Sequence, residues 1–400
     1  MAGAEGVMTW VDAPVDIGRI EAELARLRYG AAGSPAEGES YAMRTSLLNL
    51  VVYAADPEGA REASKTIDGL TRDHPSRAII ILAEPSGEES RIEARCEAHC
   101  HIAAGLAQQV CCEEVMLDVR GPAASHLHSI IIPLLVPDLP VYVWWTGPLP
   151  RSRHLFEELM ESADRFIVDS GHFRHPTHGL RRVAELCEST PGCAIGDINW
   201  ARLTPWRDLL TLHGGDPGMR AYREAVTAVE VAYAGVQAVV PSQAFLLVGW
   251  LAERLGWDAS SPEKDGGLAL RRGNTPIAVR FLAREAALDH GSLLRVRLED
   301  EAGAAITIKM GDDPLHLEIE VRTPDYTHRQ SVRVEQPGSS EMLAAELDDL
   351  PGQNSEFERA LQRAMPLIRA LDVEHYHTPR GESPGAPSVP EFAHEKQGDI

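Results

Sequence analysis

The chain lacks the motifs by which most nucleotide, metal and acyl-transfer enzymes announce themselves. It has no GxGxxG after a strand, no GxxxxGK[ST] and no HExxH, and GxSxG occurs only as GESPG (381–385) in the Pro- and Gly-rich tail, with no strand pattern before it. Its strand-to-helix turns are poor in the glycine that lets a backbone approach a phosphate. It is also short of basic residues: 38 Lys and Arg stand against 60 Asp and Glu, a formal net charge of −22. Nucleic acids and anionic membrane surfaces repel such a chain, so neither is expected as a partner. No apolar run reaches the roughly 18 residues of a membrane-spanning helix. The start, MAGAEGVMTWVDAPVD, has neither the basic segment nor the apolar core of a secretory signal. A cytoplasmic location is therefore expected. Six cysteines in 400 residues are too few for a secreted disulfide scaffold.

What remains is ordinary globular material, 44% hydrophobic and 24% charged, with length enough for two cores. The stretch PLLVPDLPVYVWWTGPLP (133–150) holds a short Val, Tyr and Trp run from Pro140 to Trp145, bounded by prolines. That is the pattern of a strand buried on both faces, as in a parallel sheet. Helical patterns flank it at 123–132 and 153–162. Similar buried strands fall at 45–54, 77–83 and 165–169, with helices at 58–72 and 177–188. From Ile92 to Ile102, apolar and polar residues alternate strictly, and 110–119 reads as the antiparallel partner across a loop holding Gly105. Residues 193–199 read as a strand or a loop, and 226–234 as a strand. Short helices are expected at 203–212 and 217–225.

A strong helix follows at 242–255, with Ser242 as the expected N-cap and Gly256 just past its end. Beyond it, alternating runs separated by GNTP, DHGS, EDEAG, GDDP and TPDY predict an antiparallel meander. Helices at 339–348 and 355–371 are expected to cover its apolar face. The predicted fold class is α/β: a mostly parallel Rossmann-like sheet with an inserted antiparallel hairpin, then an antiparallel β-meander domain with covering helices (α+β). The expected division is 1–40 lead-in helix and linker, 41–235 α/β domain, 236–372 helix plus meander, and 373–400 a disordered tail.

Candidate chemistry gathers in three places. Cys96, His99, Cys100, His101, Cys111 and Cys112 tempt a metal reading, but the spacing is wrong for a zinc site. Alternation also sends the two histidines and the pair Cys96 and Cys100 to opposite faces. Core filling is the reading that the burial habit of free cysteine favours. A redox pair stays open, because a turn near Gly105 sets Cys100 opposite Cys111 or Cys112. The second place is a ligand crevice at carboxyl ends of strands: Trp144, Trp145 and Thr146, then Arg151, Arg153 and His154, then Asp169, Ser170 and His172. The third is DINWARLTPWRD (197–208), holding Asn199, Trp200, Arg202, Trp206 and Arg207. Trp and Arg are enriched in binding hot spots, so this segment, together with the wet face of the meander, is the expected contact with a protein partner. The alternative is that the tryptophans fill the core and the arginines pair locally. No cofactor and no metal ligand set is expected.

These stretches carry a resemblance. RTSLLNLVVYA (44–54), HPSRAIIIL (74–82), EAHCHI (97–102), QQVCCEEVML (108–117), LLVPDLPVYVWW (134–145), ADRFIVDS (163–170), DINWARLTPWRDLL (197–210) and QAFLLVGWLAERLGW (243–257) resemble the glucose-6-phosphate dehydrogenase assembly protein family, OpcA, over roughly residues 40–335. The resemblance implies a non-enzymatic partner that binds glucose-6-phosphate dehydrogenase and favours its active form. That would support NADPH production in the oxidative pentose phosphate pathway. It brings no catalytic residues, and no cysteine matches a regulatory pair. Two rival expectations stand beside it: a sugar-phosphate or nucleotide-binding sensor or enzyme using the crevice, and a zinc or thiol-switch protein built on the hairpin.

Overall fold

The computed structural model describes residues 8–31, 43–44, 46–102, 109–147, 149, 159–190, 192–214, 225–235, 239–259, 268–335, 337–348 and 355–377. Runs of Val, Ile, Leu and Trp build a first sheet of nine strands. Its parallel centre follows the order β6 (Gln109–Arg120), β4 (Ser76–Glu84), β3 (Leu48–Ala54), β7 (Val141–Trp145), β8 (Arg165–Val168), β9 (Ala194–Asp197). Both β8 and β9 are buried at every residue, as strands covered on both faces must be. The run at 140–145 lies where its composition predicts, as β7 between β3 and β8. The PDLP loop before it is pinned from β3: buried Asn49 donates to Val136 O (3.0 Å) and accepts from Val136 N (2.8 Å).

Alternation from Ile92 also reads true. Strand β5 (Arg91–Ile102) pairs antiparallel with β6, and the register sets Cys100 opposite Cys111 and Glu97 opposite Glu114. The lead-in adds an edge strand that periodicity does not reveal. Strand β1 (Met8–Val11) pairs with β5, and β2 (Met43–Arg44) pairs with β6. The helix expected at 123–132 is broken. A 3₁₀ turn at Gly121–Ser125 precedes α3 (Leu127–Ile131), and another at Ile132–Leu134 follows it. Pro122 and Pro133, which lack N–H donors, sit in the two 3₁₀ turns.

The second sheet has eight strands in the order β11 (Asp258–Ala259), β12 (Leu268–Arg272), β13 (Thr275–Arg284), β10 (Val226–Ala234), β14 (Leu293–Asp300), β15 (Ala305–Met310), β16 (His316–Arg322), β17 (Thr327–Arg333). All neighbours are antiparallel except β10 and β13. Strand β10, read from sequence with the α/β part, sits at the centre of this sheet. The wet face pairs its own charges across strands, as in Lys309 with Glu318 (2.8 Å) and Arg329 with Glu320 (2.7 Å).

Beyond α6 (Thr204–Gly214), helix α7 (Ser242–Leu255) is buried at ten positions on all sides, Ser242 and Ala244 to Ala252, which marks an internal helix. Gly256 ends it in the left-handed conformation at φ 66°, as expected. Its first turn starts one residue early, with Pro241 at the N-cap and Ser242 already helical. Helix α9 (Glu356–His377) crosses α7 closely, since a Cβ at Gly249 would fall 2.1 Å from Ala360 O. It runs past residue 371, where the sequence pattern ends it. Helix α8 (Ser339–Asp348) lies chiefly on α2 (Pro57–Leu70) and α5 (Ile198–Arg202), and α9 chiefly on α7 and α4 (Pro176–Ser189). The two helices therefore serve mainly the seam and the first sheet rather than the meander. The predicted helix at 217–225 and most of that at 153–162 lie outside the described residues, as do the linker from 32 and the tail from 378.

A buried ion network fastens α1 (Ile17–Ala31) to the first sheet. Arg77 on β4 is fully buried. It donates to Glu113 on β6 (2.8 Å), to Glu21 on α1 (2.7 Å) and to Leu134 O (3.0 Å). Removing the cation leaves the sealed Glu113 carboxylate with Arg28, 2.8 Å from its other oxygen, as its remaining cation. Arg77→Met is expected to cost about 3–5 kcal/mol, read as a lowered urea midpoint. The double variant Arg77→Met with Glu113→Gln should recover much of the loss. Equal midpoints for wild type and Arg77→Met would contradict this network.

Candidate functional site

In an open parallel sheet the ligand crevice lies at carboxyl ends of strands, where the order of connections reverses. Here the chain runs β3, β4, β6 outward and then returns with β7 on the other side of β3. The crevice between β3 and β7 is pinched shut. Both the amide and the hydroxyl of Thr146 donate to Tyr53 O, at 3.1 and 3.2 Å. A Cβ at Gly147 would sit 3.0 Å from Ala55 Cβ. The N-terminus of α2, where a phosphate would dock, is filled by the chain's own anion. Asp56 caps it, accepting from Gly59 N at 2.8 Å, and Glu58 adds charge in the first turn. Trp144 and Trp145 are buried on opposite faces of β7, with Trp145 stacked on Tyr53 at 3.9 Å. Arg151, Arg153 and His154 lie outside the described residues.

Two strands further along, the ends of β8 and β9 open into a cleft of about 730 Å³. Asp169 follows β8 and caps a 3₁₀ turn at Ser170–His172, accepting from Gly171 N (3.0 Å). Asp197 ends β9 and caps α5. One oxygen accepts from both Asn199 N and Ser170 N at 2.9 Å, so it ties the two loops together. Arg202, at the end of α5, forks onto Asp169 at 2.5 and 2.7 Å. Gly171 is needed for this approach, since a Cβ there would meet Arg202 Nη1 at 2.8 Å. Asn199 donates to Ser170 Oγ (3.1 Å) and accepts from Gln243 (2.9 Å), while Ser242 Oγ donates to Ser170 O (2.8 Å). These bonds run from the first sheet into the first turn of α7. The far wall comes from the second sheet: Asp289, His290, Gly291 and Ser292, the DHGS turn between β13 and β14.

A neighbouring cavity of about 350 Å³ shares Arg202, Gln243, Asp289 and Ser292. It continues under Met310, Leu317 and Met342, so the groove follows the seam between the sheets.

The structure distributes the residues of DINWARLTPWRD unevenly. Asn199 and Arg202 line the cleft. Trp200 and Trp206 are interior, 8% and 5% exposed, so they hold the segment rather than present a surface. Arg207 lies over the Trp200 ring at 3.8 Å and pairs with Glu356 (3.1 Å), which also accepts from Trp250 (3.1 Å). Ser170 belongs to this cleft and not to the β7 crevice. Gln243, Asp289 and His290 are the members that sequence reading misses, although DHGS is visible as a turn. Cys96 and Cys112 are buried free thiols, and burial pushes Cys96 up to about 12. The side chains of Cys100 and Cys111 lie outside what is described.

The electrostatics of the cleft are lopsided. Burial works against the Asp169 charge, but Arg202 and His172 outweigh it and hold the carboxyl far below the usual range. Asp197 is fully buried beside that anion. Desolvation first, and Asp169 second, push it up to about 7. Its second oxygen has no hydrogen-bond partner.

A raised carboxyl favours the folded state while protonated. Its contribution is present at low pH and fades as pH rises from about 4 through 7. Asp197→Asn keeps an oxygen for both amides and removes the titration. Relative to wild type, the variant should gain stability between pH 5 and 8 by up to about 4 kcal/mol, read by urea unfolding across pH. A difference that stays constant with pH would contradict the assignment.

Among the described residues no helix is long and apolar enough to cross a membrane. A 3-ketoreductase from Actinomadura kijaniata bound to NADP matches 82% of this chain and 97% of its own, at TM-score 0.45 and 8% identity. A dehydrogenase from Clostridium difficile matches 82% and 99%, at 0.42 and 10%. Likeness that distant carries neither cofactor nor reaction to this chain. Sequence relatives are nearer. The protein named "Putative OxPP cycle protein OpcA" from Synechocystis sp. is 33% identical over 206 residues, 51% of this chain and 41% of that protein. Its namesake from Nostoc punctiforme is 32% identical over 201 residues, 50% and 42%. The matched region thus spans about two fifths of the length of these relatives. Residues 68–185 match the glucose-6-phosphate dehydrogenase subunit N-terminal domain, and 193–361 match the C-terminal domain of the same family. With both domains present in order, the chain belongs to the OpcA family of glucose-6-phosphate dehydrogenase assembly proteins.

Proposed function

We propose that the chain is a non-enzymatic partner of glucose-6-phosphate dehydrogenase that binds it and favours its active form. That activity would support NADPH supply through the oxidative pentose phosphate pathway. The observation that carries this reading is the match of both halves to the two domains of that dehydrogenase-associated family. Asp56 in the phosphate seat of the β3–β7 crevice supports it, since that crevice then has no place for a dinucleotide. An activator must bind the active conformation better than the inactive one. The contact surface is the rim of the seam, where His172, Arg174, Asp289 and His290 are exposed above a rigid polar floor. Of the buried tryptophans of 197–208, Trp206 lines the adjoining cavity and Trp200 packs on Phe357.

A second reading rests on the cleft itself. Its volume lies in the range of small-ligand sites, and Arg174, Arg202, Gln243 and His290 are groups that could hold a sugar phosphate. Titration of glucose 6-phosphate and of NADPH, without the dehydrogenase, separates a ligand sensor from a purely protein-binding surface.

The main reading predicts co-purification with the cognate dehydrogenase and raised turnover across glucose 6-phosphate concentrations. Arg174→Glu combined with His290→Glu should weaken the complex at least about tenfold. Charge reversal at Lys309, on the meander's wet face, should leave it unchanged. Wild-type chain that neither binds nor activates the dehydrogenase would overturn the reading. Unaltered binding by the rim variant would overturn the rim alone.

A further inference from the structure

A second cluster lies well away from the seam, on the outer face of the β5–β6 hairpin. Strand register places Glu97 directly opposite Glu114. Like charges so paired destabilise a sheet unless a cation joins them. His99 stands two residues beyond Glu97 on the same face. Its Nε2 is 3.2 Å from Glu114 Oε2 and 3.9 Å from Glu97 Oε2. The three ligand atoms all lie within 4.8 Å of one another. Around a divalent ion with bonds near 2.1 Å, neighbouring ligand atoms sit roughly 3–3.5 Å apart. Small rotations of Glu97 therefore complete the triangle.

Two further features distinguish this cluster from a solvated charge patch. His99 Nδ1 faces Asp68 Oδ1 on α2 at 3.2 Å. That carboxylate orients the ring through Nδ1 and turns Nε2 toward the two glutamates, the outer-shell arrangement common to metal-bound histidines. Glu114 is 1% exposed, held by Ser64 Oγ at 3.0 Å. Its Oε1 is sealed from solvent with no hydrogen-bond partner. Access is open: Glu97 and Ser64 line a groove of about 490 Å³ beside α2. Lys65 and Arg95 also line it, and Lys65 pairs with Glu62 at 2.6 Å.

We propose that Glu97, His99 and Glu114 form a binding site for one divalent first-row transition cation, with Asp68 as the residue that orients the imidazole. One nitrogen and two carboxylates suit Mn²⁺ or Zn²⁺. The cation fastens the long hairpin to α2, which meets the cluster through Asp68 and Ser64. The proposal is independent of the dehydrogenase reading.

Full-length chain, stripped with chelator and dialysed, is titrated calorimetrically with MnCl₂ and with ZnCl₂ at pH 7.5. The expected result is one ion per chain. Affinity should fall at pH 5.5, where the proton competes. Glu97→Gln and His99→Gln, both near the surface, should each weaken binding at least about tenfold. Asp68→Asn should weaken it about 10–100-fold, with folding of each variant checked by circular dichroism. Absence of stoichiometric binding by wild type would overturn the site. So would unchanged affinity in folded Glu97→Gln and His99→Gln.

Discussion

The Asp169–Arg202 ion pair is the constraint around which the seam is arranged. Asp169 is 8% exposed, and a carboxylate so placed is costly unless a cation and hydrogen bonds meet it. Arg202 can meet it only if α5 begins immediately after β9, which Asp197 enforces by capping that helix and holding the Ser170 amide. Ser170 in turn receives Asn199 and Ser242, so the first turn of α7 is fixed to the loops of the first sheet. Helix α7 then carries the second sheet, with Phe245 edge-on to Phe281 of β13 at 5.4 Å. The order of dependence runs from one buried carboxylate to the relation between the two sheets.

This dependence explains why the fold was more legible than the site. Buried strands declare themselves by local composition, and β3, β4, β7 and β8 lie where Val, Ile and Trp runs predict them. Alternation and the turn expected near Gly105 narrow the partner of Cys100 to Cys111 or Cys112, and the observed register takes Cys111. A four-residue edge strand such as β1 is too short for periodicity to show, and the helix expected at 123–132 shortens to α3 between 3₁₀ turns that hold Pro122 and Pro133. The cleft unites Ser170, Asn199, Gln243 and His290. No local pattern relates residues so far apart in the chain.

The DINWARLTPWRD segment shows the same limit from the other side. Its composition suggests an exposed hot spot, yet Trp200 and Trp206 are interior. The arginines divide their work: Arg202 neutralises Asp169, and Arg207 stacks on Trp200 beside Glu356. Composition identifies a segment rich in interaction energy without telling whether the partner is another protein or the rest of the chain. The Asp56 cap makes the complementary point. A parallel sheet with a switch point invites a nucleotide reading, and one aspartate in the wrong sign of charge closes that seat.

Hydrogen exchange of the chain, with and without saturating glucose-6-phosphate dehydrogenase, tests the central claim most directly. The account predicts new protection at 170–174, 199–202 and 289–292, where the two sheets meet at the exposed rim. Protection confined to other surfaces, or none at all in the presence of the dehydrogenase, would contradict it.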